Sequence, residues 1–141
     1  MFKIVSSIAI LFISLTMTHA QKEDVQAVKA TVKNYAASGD QGDAQKLANY
    51  LDPNFRIVMN RLFGSKDVST LPREVYLEKI RSGEFGGAPR TLTFYEVVIN
   101  NTTAAVKVKM VSAKLTFHSL MILLKDADGN WKLVSDLPTL E

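Results

Sequence analysis

The chain contains no cysteine. Disulfides, thiolate metal sites and a cysteine nucleophile are therefore excluded, and core burial alone must supply stability. Histidine is nearly as scarce, with 2 in 141 residues. Charge of one sign is missing too: 17 Lys and Arg stand against 14 Asp and Glu, a formal net charge of +3. The lysines are scattered rather than striped, so neither nucleic acid nor an anionic surface is implied as a partner. Phosphate loops, dinucleotide fingerprints and serine elbows are absent. Asp126-Ala127-Asp128-Gly129-Asn130 is too short for a calcium loop and lacks its distant glutamate. No metal and no cofactor is expected.

What is present begins at the first residues. Met1-Phe2-Lys3 is a short basic start, and Ile4–Met17 carries no charge. Thr18-His19-Ala20 then places small residues at its first and third positions, ahead of Gln21. That is the pattern of a secretory signal peptide over residues 1–20. The apolar run is short against the ~20 residues a membrane-crossing helix needs. Residues 21–141 are the expected mature domain, secreted or periplasmic and free of the membrane once the signal is cleaved. Cleavage removes Lys3 and no acid, so the net charge falls by one. His118 is then the sole histidine. A domain of this length can bury roughly two-thirds of its unfolded surface.

Along the mature chain, Val25, Val28, Val32, Tyr35 and Ala36 trace one helical stripe, predicting a helix over 23–38. Asp43 can cap a short second helix over 44–51, closed by Asp52-Pro53. Phe55, Ile57 and Met59 alternate with Arg56, Val58 and Asn60 as a strand. Residues 64–70 read as a polar loop, followed by a third helix with Pro72 in its first turn. Strands are then predicted over 92–99, 106–111, 115–125 and 131–134, with turns at 100–102 and 126–130. Strands joined by hairpins make an antiparallel sheet, and helices gathered at one end of the chain must cover one face of it. The fold class is α+β: a curved antiparallel sheet covered by three N-terminal helices, with a pocket between the layers.

These pieces carry a resemblance. Val28-Lys29-Ala30-Thr31-Val32-Lys33-Asn34-Tyr35, Gly42-Asp43-Ala44-Gln45-Lys46-Leu47 and Asp52-Pro53-Asn54-Phe55-Arg56 come first. Pro72-Arg73-Glu74, Leu123-Leu124-Lys125 and Gly129-Asn130-Trp131-Lys132-Leu133-Val134 follow in order. Together they resemble an NTF2-like cone, within it the group labelled "putative lumazine-binding", beside the polyketide-cyclase-like (SnoaL-like) proteins. Where the family often carries an acidic–tyrosine pair ahead of Leu-Leu-Lys, this chain has Ser119-Leu120. Where the family often closes on an aromatic–histidine pair, it has Pro138-Thr139. Both departures remove groups that bind ligands or move protons.

Two residues stand out as catalytic candidates. His118 lies between Phe117 and Ser119 in the most apolar strand, where a histidine facing a pocket acts as acid or base. Its plain alternative is a bonded core histidine. Asp136 follows the 131–135 strand, near the expected open end of the cone. The resemblance implies a carboxylate there that moves a proton on carbon, desolvation keeping it basic; a solvated strand-end aspartate is the alternative. Tyr50, Tyr76 and Tyr95 are candidate pocket donors, and Tyr50, Met59, Tyr95 and His118 form the expected ligand pocket.

The leading expectation is non-catalytic binding of a small, mostly apolar molecule in the cone. One alternative is an isomerase, dehydratase or cyclase with Asp136 or His118 as base. The other, which the resemblance implies, is a homodimeric interaction module pairing through the sheet, whose outer face mixes apolar residues with Lys107 and Lys109.

Overall fold

The computed structural model describes residues 2–141, with side chains described from His19 onward. Most of the expected signal segment therefore lies outside the described side chains. Helix α1 spans Phe2–Asp40. Of the predicted stripe, Val28, Val32, Tyr35 and Ala36 are buried and Val25 is half-buried. Residues 19–23 are exposed. Among the described side chains of α1, contact with the sheet begins at Asp24, whose carboxylate accepts from Trp131 Nε1 at 3.1 Å and pairs with Lys125 at 2.7 Å.

Helix α2 covers Ala44–Ala48, and Asp43 caps it by accepting from the Lys46 amide. It stops short of the expected 51 because Leu51 already belongs to strand β1, Leu51–Asn60. Pro53 is tolerated there because the ladder to the neighbouring strand is interrupted between Leu51 and Arg56. A 3₁₀ turn at Leu62–Gly64 leads to β2, Val68–Pro72, where a loop was expected. Only Leu71 of this strand is buried, so it lacks the alternation that marks a half-buried strand. Pro72 ends β2 and stands before α3, Arg73–Arg81, rather than inside its first turn. Strands β3 (Thr91–Asn100), β4 (Thr103–Val111), β5 (Thr116–Lys125) and β6 (Trp131–Leu140) complete the chain.

One six-stranded sheet runs β2-β1-β6-β5-β4-β3. The sheet is mixed rather than wholly antiparallel, because β1 pairs with β6 in parallel. Hairpin logic holds for β3 to β6 but not for β1, which enters beside the last strand. The helices lie on one face, with α1 against β3 and β6 and α3 against β1. Ala104, Val106, Val108, Met121, Leu123 and Leu133 point inward beneath them.

Two β-bulges tune which side chains face inward. Across β3 and β4, Phe94 pairs Val108 and Glu96 pairs Lys107, leaving Tyr95 as the extra residue. Across β5 and β6, Leu123 pairs Leu133 and Ile122 pairs Ser135, leaving Val134 as the extra one. Strand side chains alternate with period two, so each bulge inverts the inward set beyond it. Before Val134 the inward residues are Trp131 and Leu133; after it they are Asp136 and Pro138.

Candidate functional site

Between the sheet and the helices lies a cavity of about 260 Å³. The Val134 bulge turns Asp136 into its wall. Without it, strict alternation from Leu133 would send Asp136 to solvent and Leu137 inward. Asp136 is 3% exposed, in mid-strand rather than at a solvated strand end.

The floor is a chain of hydroxyls ending on that carboxylate. Tyr76 on α3 donates to Tyr35 Oη at 3.4 Å, and Tyr35 on α1 donates to Asp136 Oδ2 at 3.0 Å. Asp136 Oδ1 is buried with no hydrogen-bond partner, and so is Ser119 Oγ. The Ser119 hydroxyl is close enough to favour the ionised carboxylate, though it makes no hydrogen bond of normal geometry.

Burial dominates the electrostatics. It raises the Asp136 pKa to about 6, against smaller opposing effects of Ser119, Tyr35 and the Arg90 charge. Burial also lifts the Tyr35 hydroxyl well above its usual range, the nearby Tyr76 and Asp136 adding to it. Burial raises the Tyr76 hydroxyl as well, so both tyrosines stay neutral and remain donors. Arg90 closes another side: its Nε pairs with Asp40 Oδ1 at 2.6 Å, and its Nη2 donates to the Ala36 carbonyl. That pair pins the 82–90 segment to the end of α1. Gly86 permits the contact, since a Cβ there would lie 2.2 Å from the Gly39 oxygen.

The walls are apolar: Ile57, Met59, Met110 and Phe117 face the space. Phe63 and Leu115, both exposed, stand at the mouth with Lys114. Phe63 holds a left-handed backbone (φ 54°), a costly conformation for an aromatic residue.

The candidates named from sequence divide. Asp136, Met59 and Tyr76 line the cavity; Tyr50, Tyr95 and His118 do not. The expected pocket of Tyr50, Met59, Tyr95 and His118 is corrected accordingly. In β5 the odd-numbered side chains Phe117, Ser119 and Met121 face inward, so His118 faces out. Its ring stacks on Tyr95, centroids 6.4 Å apart, on the outer face of the sheet. Its Nε2 lies 3.5 Å from Glu141 Oε2, which also holds Lys109 at 2.9 Å. Tyr50 packs behind the core edge, where its carbonyl accepts from the Leu133 amide.

Sequence reasoning missed Tyr35, Arg90 and Asp40 as site residues. Tyr35 carried a signal, since a tyrosine inside a Val and Ala stripe brings a buried hydroxyl that needs a partner. Arg90 carried none. Among the described residues, no group of three His, Asp or Glu side chains converges as a metal site requires.

The fold has known counterparts. An NTF2-like protein of unknown function from Silicibacter pomeroyi DSS-3 is 17% identical, with a TM-score of 0.75 over 86% of this chain and 98% of its own. One from Shewanella baltica OS155 is 16% identical, with a TM-score of 0.72 over 84% and 94%. A protein from Novosphingobium aromaticivorans DSM 12444, described as "Putative Scytalone Dehydratase", is 15% identical, with a TM-score of 0.71 over 88% of each chain. At such identities the likeness shows the fold, an NTF2-like one, and nothing finer. No curated protein matches the chain. The family model described as "Putative lumazine-binding" matches residues 23–137, and the chain belongs to that family.

Proposed function

We propose that this domain binds a small, mostly apolar molecule in its cavity, seated on the Asp136–Tyr35–Tyr76 floor. The carrying observation is a buried carboxylate with one unpartnered oxygen, set in otherwise apolar walls. A buried acceptor without a partner is costly, and a ligand donor offsets that cost. Apolar walls with a few convergent polar groups are the usual make-up of a ligand site. The test is a thermal-shift screen of metabolites, followed by saturation binding on the wild type and Asp136→Asn. Saturable binding weakened by the substitution is expected. A screen with no binder, or binding indifferent to Asp136, contradicts the reading.

A second reading is proton transfer on carbon, favoured by the Asp136 pKa of about 6. Such a group is mostly ionised at neutral pH yet basic enough to accept a proton, and Tyr35 and Tyr76 are donors for a developing oxyanion. The similar Novosphingobium protein is described as a scytalone dehydratase, which is in keeping with this chemistry. Here Asp136 alone is the base, since His118 lies outside the cavity. Activity that survives Asp136→Asn rules it out.

The working place we propose is outside the cytosol. The 1–20 signal pattern supports it, and so does the exposure of residues 19–23. Cleavage before Gln21 leaves Asp24 and every buried residue of α1 from Val28 onward in place. The domain is proposed to pair as a homodimer through the outer sheet face, where Tyr95, Val98 and Leu120 are each about half exposed.

A further inference from the structure

We propose that the ligand of this cavity is a cation, a lipophilic amine or ammonium compound, with Asp136 as its counter-charge. The inference rests on the reading of the cavity as a ligand site and adds the class of molecule it takes.

The charges on the wall are Asp40, Glu84, Arg90, Lys114 and Asp136. Asp40 and Arg90 neutralise each other at 2.6 Å. Glu84 is paired with Lys79, also at 2.6 Å. Lys114 is exposed in the turn between β4 and β5, where solvent and salt screen it. Arg90 favours the ionised Asp136 only from a distance, since its guanidinium is bonded to Asp40, so no positive charge is in direct contact with the Asp136 carboxylate. Tyr35 and Ser119 are hydroxyls; they supply hydrogen bonds and no charge. An ionised carboxylate offers about four acceptor sites, of which those two groups fill at most two. Buried charges are normally paired, because leaving one alone is expensive. A neutral apolar ligand would leave this buried charge without a partner. An anion would repel it.

The walls suit a cation as well. Tyr35, Phe63, Tyr76, Phe85 and Phe117 surround the space, and aromatic faces attract ammonium groups. Phe85 already holds one: Lys79 Nζ lies 5.3 Å from its ring centre. The volume, about 260 Å³, equals roughly nine water volumes and admits one ring with a short alkyl arm.

The experiment uses three probes of one shape at neutral pH, read by calorimetry on the mature chain: phenylbutylamine, phenylbutanol and phenylbutyrate. The amine is expected to bind about tenfold tighter than the alcohol, with the acid weakest. Asp136→Asn is expected to bring the amine level with the alcohol. The wild-type ranking stands as a test even where that variant fails to fold. An alcohol or acid that binds as tightly as the amine overturns the ligand class while leaving the ligand site standing. An amine preference that persists in folded Asp136→Asn overturns Asp136 as the counter-charge. Binding of none of the three overturns the ligand-site reading and this inference together.

Discussion

The Tyr35 hydroxyl donates to Asp136 Oδ2 across 3.0 Å, joining α1 to β6 inside the core although 101 positions separate the two residues in sequence. Tyr76 donates in turn to the Tyr35 oxygen. The helical layer and the sheet are thus tied together at the floor of the cavity. Tyr35→Phe is expected to destabilise the domain by ~1–3 kcal/mol, because the carboxylate loses its one well-formed donor. It also raises the Asp136 pKa further. Urea denaturation and a carboxyl ¹³C NMR titration read the two effects; an unchanged titration contradicts the role given to Tyr35.

Asp136 itself makes stability depend on pH. Its pKa is about 6 in the fold against 3.8 for a free side chain. Between those values the folded state holds more protons than the unfolded one, so stability falls as pH rises through the window. The full cost, about 3 kcal/mol, is present above it. Asp136→Asn removes this titration. The variant is expected to be more stable than the wild type at pH above ~7, with its advantage shrinking toward pH ~4. A difference between the two that does not change with pH contradicts the shifted pKa.

The periodic parts of this architecture were legible in the sequence. The stripe of Val28, Val32 and Tyr35 and the alternation of Val106, Val108 and Met110 each follow a burial pattern that the structure repeats. The parts that break period were not. Strand β2 is an exposed edge with Leu71 as its single buried residue, so it reads as loop. The bulges at Tyr95 and Val134 invert the inward set without altering the sequence pattern. Asp136 therefore reads as a strand-end residue, while β5 is apolar on both faces, so nothing local shows which way His118 points. Partners distant in sequence were equally hidden, since nothing local in Arg90 announces Asp40.

Gly86 and Gly129 share a left-handed backbone but differ in surroundings. At Gly86 a Cβ meets the Gly39 carbonyl oxygen at 2.2 Å, while at Gly129 nothing lies within 4 Å. Gly129→Ala is expected to cost only the backbone term, ~1–2 kcal/mol. Gly86→Ala must also push the 82–90 segment away from α1, costing roughly 2 kcal/mol more. Thermal denaturation of the two variants gives the comparison, and equal losses contradict the close packing of this segment.

The proposed homodimer has its own test. Leu120 is 55% exposed at the centre of the outer sheet face, away from the cavity. Leu120→Lys is expected to convert dimer to monomer in sedimentation velocity, while a monomeric wild type at tens of micromolar contradicts the pairing.

The most direct measurement of the central claim is native mass spectrometry of the protein recovered from outside the cytoplasm, wild type beside Asp136→Asn. The account predicts a chain beginning at Gln21 that carries a small molecule, and loss of that molecule in the variant. A wild-type protein that arrives empty, or a bound molecule that Asp136→Asn retains undiminished, contradicts it.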